Sequence, residues 1–143
     1  MFRIFLRKNR GFTIVELLVV VVILGLLTAI GIPTYRNVVL YTERKIVENN
    51  LRMIDAAIAV YYESGNTDSL QGLNTENLFN KLVPNFLHAE ISGPGTARYR
   101  TSDHINTPNG YPQAQVISTD KVGGYEMGLK QYYTIDKLPW YFE

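Results

Sequence analysis

The sequence predicts an α+β protein in which a long N-terminal helix packs against a small antiparallel β-sheet. Three observations support this fold class. An almost uninterrupted apolar run covers residues 12–32, apolar residues recur at helical spacing from 39 to 61, and short strand-like stretches fill the C-terminal third. The chain has 143 residues, which leaves room for one small domain besides the apolar run.

The charges separate a basic leader from a weakly acidic body. The first ten residues hold four of the fourteen basic side chains and none of the thirteen acidic ones, so the remainder carries three excess negative charges. This balance argues against a nucleic-acid-binding protein, because neutralising phosphates requires a basic surface. The chain has no cysteine. Disulfides, thiolate metal sites and thiol nucleophiles are therefore excluded.

The apolar run predicts a transmembrane helix. A helix of this length spans about 30 Å, the thickness of a hydrocarbon core. The basic leader predicts a cytoplasmic N-terminus and an exported body. The run is too long for an ordinary secretory signal, and no clear small-residue cleavage site follows it. We therefore expect a leader at 1–11, a transmembrane helix at 12–33 and an exported head at 34–143.

The apolar helix is predicted to continue to Ser64 as an amphipathic helix about 80 Å long in total. Gly25, Gly31 and Pro33 weaken its middle, so a kink or a loosened stretch is expected there. The buried face is expected to carry Val47, Leu51, Ile54, Ile58 and Tyr61, and the charged face Glu43, Arg44, Lys45, Glu48, Arg52 and Asp55.

Short elements are predicted beyond this helix. Asn74 or Thr75 can cap a helix that runs to Val83 and stops at Pro84. Such short, neighbouring strands favour an antiparallel sheet lying over the apolar face of the long helix. The strand candidates are 97–101, 113–119, 125–129 and 131–136.

The segment Gly11-Phe12-Thr13-Ile14-Val15-Glu16-Leu17-Leu18 follows basic residues and opens the apolar helix. In this it resembles the type IV pilins and the pseudopilins of type II secretion and DNA-uptake machines, over about 7–64. The resemblance implies a pilin-like fold, cleavage by a prepilin peptidase between Gly11 and Phe12, and methylation of the new Phe12 amine. A glycine before the scissile bond lets the backbone approach a catalytic site closely.

Glu16 is the one acid in the apolar run. A carboxylate deep in a membrane helix costs about 2.5–3.5 kcal/mol, and less where it snorkels to the interface. Glu16 is therefore either tolerated near the interface or paired with a positive group. The apolar run has no lysine or arginine, but cleavage would create the amine of Phe12. The resemblance implies that Glu16 meets this amine in a neighbouring subunit and sets the register of a growing filament.

The expected function is that of a non-enzymatic, self-assembling subunit, held in the inner membrane and then polymerised into a periplasmic or extracellular filament. The resemblance implies an assembly platform and an ATPase as partners, besides the peptidase and membrane lipid. Gly25, Gly31 and Pro33 are either ordinary small residues of a membrane helix or a segment that loses helix on assembly. No catalytic set, cofactor or metal site is predicted, although loop oxygens at Asp103, Asn106, Asn109 and Asp120 leave calcium open.

Alternatives stay open at this stage. Many type IV pilins close a C-terminal loop with a cysteine pair, so a chain without cysteine leans toward a pseudopilin or a cysteine-free pilin. Its C-terminal end would then be held by packing of 138–142 or by another means. A membrane-tethered binding protein that never polymerises, or a membrane-anchored enzyme, would also show an anchor helix.

Overall fold

The computed structural model describes residues 11–105, 107–127 and 131–141. Helix α1 covers Ile14–Glu63 and helix α2 covers Thr75–Leu82. Four short strands follow, with 3₁₀ turns at Ile135–Lys137 and Pro139–Tyr141. The strands are β1 Arg98–Thr101, β2 Ala114–Ile117, β3 Lys121–Val122 and β4 Tyr125–Glu126. The predicted α+β, pilin-like fold class is confirmed.

The chain divides into two compact units with a boundary between Asn37 and Val38. In the first unit every described side chain is exposed, and the large apolar ones from Phe12 to Ile32 are 45–84% exposed. Helix α1 continues without a break through Gly25, Gly31 and Pro33. By length and composition, α1 includes a segment able to cross a membrane.

The second unit forms the head, whose core lies against the C-terminal half of α1. The predicted apolar face is confirmed: Val47, Leu51, Ile54 and Ile58 are at most 1% exposed. Helix α2 begins as expected, because the side chain of Asn74 accepts a 2.9 Å bond from the Asn77 amide. The rest of the core includes Leu70, Leu78, Leu82, Tyr99, Val116, Val122 and Leu138.

The sheet is smaller than predicted. Strand β1 pairs antiparallel with β2, Tyr99 opposite Val116, and β3 pairs antiparallel with β4. Strand β3 lies outside every predicted strand, and Gly123 and Gly124, which both have positive φ, form the two-residue hairpin turn that joins it to β4. The predicted strand 131–136 reduces to one bridge, Tyr133 with Val116, before a 3₁₀ turn begins.

The C-terminal end is fastened by a buried acid rather than by a disulfide. Trp140 Nε1 donates to Glu48 Oε1 at 3.0 Å, and Lys45 Nζ lies 2.8 Å from Glu48 Oε2. Leu138 beside them is fully buried. The prediction that Glu48 lies on an exposed charged face was therefore wrong, since Glu48 is only 6% exposed. Phe142, which was also expected to pack here, lies outside the described residues.

Candidate processing and assembly site

The N-terminus of α1 is closed by a reciprocal capping box between Thr13 and Glu16. Glu16 Oε2 accepts bonds from the backbone amide and the hydroxyl of Thr13, both at 2.8 Å. In return, the Thr13 hydroxyl accepts a 3.2 Å bond from the Glu16 amide. Both residues thus satisfy backbone amides that have no partner inside the helix. The acid in the apolar run consequently has a structural role within its own chain.

Gly11 and Phe12 precede the first helical residue, Ile14. Both are exposed, Phe12 to 84%, and a Cβ built on Gly11 would meet nothing within 4 Å. The peptide bond between them thus lies in non-helical backbone that no described residue covers. Such a bond is accessible to a protease that must bind an extended chain. Cleavage between Gly11 and Phe12 stays a prediction.

The Glu16 carboxylate meets no basic side chain among the described residues. The ion pairs of the described chain involve Lys45, Lys81, Arg100 and Lys121. Apart from Thr13, no described residue donates a side-chain or backbone bond to Glu16. Its negative charge therefore has no cationic partner among the described residues.

Thr13 is a residue that the sequence reasoning missed. The signal was present, because Thr13-Ile14-Val15-Glu16 has the S/T-x-x-E spacing of a capping box just before an apolar run. The spacing alone does not show whether Glu16 caps its own helix or pairs with another chain, because both roles need a carboxylate at this position. Gly25, Gly31 and Pro33 lie 9–17 residues further along α1, so the structure does not bring them to this site.

The described residues of the head include no candidate metal centre. No group of three or more described His, Cys, Asp or Glu side chains lies close enough to hold a metal ion. Among the candidate calcium-binding loop residues, Asp103 pairs with Arg100 at 2.6 Å, and Asn106 lies outside the described residues. The described head therefore gives no support to the calcium alternative.

Sequence comparison agrees with the N-terminal site. The family described as the prokaryotic N-terminal methylation motif matches residues 6–32. This chain carries that motif. The match spans Gly11, Phe12 and Glu16, and it confirms the resemblance to type IV pilins and pseudopilins on which the prediction rested.

Individual relatives point the same way. The chain is 30% identical over 96 residues to a type IV major fimbrial protein, FimA, of Dichelobacter nodosus, which covers 67% of this chain and 56% of the relative. It is 60% identical over 30 residues to prepilin peptidase-dependent protein D of Escherichia coli K12, covering 21% and 20%. A second FimA of D. nodosus is 35% identical over 72 residues, covering 49% and 46%.

These matches extend beyond the apolar segment in the fimbrial relatives, but the chain spans only about half the length of those relatives. No solved structure is significantly similar to the chain. The comparisons therefore identify a pilin-type N-terminus.

Proposed function

We propose that this chain is the structural subunit of a type IV pilus-like filament, made as a precursor and cleaved after Gly11. The observation that carries the proposal is the exposed apolar surface of residues 12–32, headed by an acid at the matched motif. Such a surface is stable only in lipid or against other apolar helices. The same surface can anchor the precursor in a membrane and later pack in a fibre.

Cleavage would place a positive charge next to Glu16. The new α-amine belongs to Phe12, the neighbour of Thr13, whose amide already donates to Glu16. An amine and a carboxylate brought together away from water attract each other more strongly than in water. In the proposal, the Phe12 amine of one subunit, methylated after cleavage, pairs with Glu16 of another and sets the axial register.

The proposal includes a location and a set of partners. The precursor resides in the inner membrane with the leader in the cytoplasm and the head exported, since basic residues remain on the cytoplasmic side. Its partners are other copies of the chain, a prepilin peptidase, membrane lipid, and an assembly platform with its ATPase. The subunit itself is not an enzyme, and it binds no cofactor.

A pseudopilin of a type II secretion or DNA-uptake system is the second candidate. The observation that favours it is the cysteine-free C-terminal end, which is held by the Trp140–Glu48 bond and by Leu138. A third candidate, a tethered binding protein that never polymerises, has no specific observation in its favour. It differs in requiring neither cleavage after Gly11 nor the charge of Glu16.

Intact mass and N-terminal sequencing of the protein from native membranes test the processing step. We expect a mature chain that begins at Phe12 and carries one extra methyl group. Gly11→Leu should leave the full-length precursor, as should cells that lack the prepilin peptidase. A wild-type chain that still begins at Met1 in cells with active peptidase would contradict the proposal.

A further inference from the structure

A cavity of about 360 Å³ lies in the head. One wall is α1, through Asp55 and Ile58, and the other is the loop 107–113. Its volume is within the range of about 300–1,000 Å³ that small-ligand pockets occupy. Nothing in the proposed filament role accounts for a carboxylate in this wall.

The loop wall is held in shape by bonds of its own. The Thr107 hydroxyl donates to the Tyr111 carbonyl at 2.6 Å and accepts from the Tyr111 amide at 3.0 Å. The Tyr111 ring stacks on Tyr62 of α1, with ring centres 4.7 Å apart and planes 10° apart. The Gln113 amide donates to the Ser102 hydroxyl at 3.1 Å. The cavity is therefore preformed rather than a gap under a loose loop.

Ionised Asp55 costs folding free energy at its half-buried position. Its Oδ1 accepts a 2.6 Å bond from the Ala114 amide, and no other bond from a described residue reaches the carboxylate. Burial raises the pKa of Asp55 to about 6, against the effect of the Ala114 bond, and the charge of Asp136 adds to the rise. No described basic side chain lies within ion-pairing distance of it. At neutral pH the Asp55 charge thus has no cation beside it among the residues that the structure describes.

The rest of the lining fits an organic cation. Ile58, Pro108, Pro112 and the Tyr111 ring offer apolar surface, while Asn109 and Gln113 offer carboxamides. No lining residue that the structure describes is basic, so an anion finds no counter-charge among them. A guanidinium matches a carboxylate through paired bonds and stacks on aromatic rings, and an apolar stem would cover the prolines.

We propose that this cavity binds a guanidinium group carried on an apolar stem, with Asp55 as its counter-ion and Tyr111 as its aromatic wall. The source is either an arginine side chain of a partner protein or a free small guanidinium compound. Binding would supply the missing positive charge and would fill the apolar part of the cavity. Protonation of Asp55 would remove the counter-charge and so weaken binding. Asp136 and the Ala114 amide are the other groups that act on the Asp55 carboxylate.

The test uses the full chain in detergent micelles, titrated with N-butylguanidinium at about pH 7.5, where Asp55 is ionised. The readouts are the amide resonances of Ala114 and Tyr111 and the pKa of the Asp55 carboxyl by NMR. We expect saturable shifts at both amides and a lower Asp55 pKa with the probe bound. No shift at these amides, or equal shifts with sodium or calcium, would overturn the proposal.

Two variants make the test specific. Asp55→Asn keeps an oxygen acceptor for the Ala114 amide but loses the charge, so the Kd should rise by at least about tenfold. Asp120→Asn removes an exposed acid outside the cavity and should leave the Kd within about twofold. The proposal fails if both variants bind the probe as the wild type does.

A second probe separates the two sources. N-acetyl-arginine-amide carries the same guanidinium on a backbone flanked by peptide bonds. Binding equal to that of butylguanidinium would assign the site to an arginine side chain of a partner. Binding weaker by more than about tenfold would assign it to a free small cation, because the cavity would then exclude the backbone. Either result supports a guanidinium site. If neither probe binds, the proposal is overturned.

Discussion

At the scale of the residue, Asp55 makes the stability of the head depend on pH. Its pKa is about 6 in the folded state and about 3.9 when unfolded, so folding is unpenalised below about pH 4 and loses stability as the pH rises to 6. Asp55→Asn removes the penalty. We expect the free energy of unfolding to increase by about 1–3 kcal/mol at pH 7.5.

Urea denaturation followed by Trp140 fluorescence over a series of pH values measures this effect. The advantage of Asp55→Asn over the wild type should shrink as the pH falls toward 4. A difference that stays constant with pH, or a variant less stable at neutral pH, would show that the carboxylate carries no such penalty.

A second residue-scale prediction concerns the hairpin turn at Gly123. Its amide donates to Glu43 Oε2 at 2.8 Å and its carbonyl accepts from Arg44 Nε at 2.7 Å. A Cβ there would lie 2.2 Å from Arg44 Cγ, on backbone with φ +58°. Gly123→Ala should therefore reduce the free energy of unfolding by about 2–3 kcal/mol.

Gly65→Ala is the matched control for this turn. Gly65 has φ +83°, but a Cβ there meets nothing within 4 Å. Gly65→Ala should lower the free energy of unfolding by only about 1 kcal/mol, because it changes the backbone preference alone. The difference between the two variants therefore measures the contact with Arg44. Equal losses in thermal denaturation would mean that the turn does not press against α1.

At the scale of the element, the bond from Trp140 to Glu48 ties the C-terminal 3₁₀ turn to α1. Burial raises the pKa of Glu48, but hydrogen bonds from Lys45 and Trp140 outweigh burial, so the net pKa is lowered. Trp140→Phe keeps an aromatic ring and removes the donor. We expect a loss of about 1–2 kcal/mol and a higher Glu48 pKa.

The direction of the pH dependence distinguishes loss of this hydrogen bond from loss of ring packing. A lowered pKa contributes stability above the unfolded value of about 4.3, and that contribution disappears as the pH falls through the folded value. Chemical denaturation should thus show the Trp140→Phe defect at neutral pH and a smaller one in acid. Tyr35→Phe, which changes an exposed ring, should show neither. A pH-independent defect would mean that only ring packing was lost.

The elements differ in how far sequence predicts them. Helix α1 is predictable because spacings of three and four residues over many turns specify one face, and Val47 to Ile58 occupy it. The hairpin at 121–126 is not predictable in this way, because strands of two residues carry no periodic signal. Glu48 is buried and Asp55 is half-buried, although both belong to the charged side of the pattern. Their carboxylates accept bonds from Trp140 and Ala114, which lie far away in the sequence, so spacing alone does not predict these positions.

At the scale of the whole molecule, the chain combines an apolar helical segment that needs a cover with a head that has a core of its own. The N-terminal motif was predictable from Gly11, Phe12 and Glu16 because the residue types and their spacing occur together. The capping role of Thr13 became clear only from the geometry. Because Glu16 also caps the helix, an assembly defect in a Glu16 variant has two explanations: loss of the charge or loss of the cap.

The most direct test is therefore the yield of sheared surface filaments from Glu16→Gln and Thr13→Val cells. Glu16→Gln keeps an oxygen that can cap Thr13 but removes the charge, whereas Thr13→Val keeps the charge and removes the hydroxyl. Both precursors should be cleaved after Gly11. We predict that Glu16→Gln abolishes filaments and that Thr13→Val retains them. Normal filaments from Glu16→Gln, with loss in Thr13→Val, would contradict the charge-pairing account.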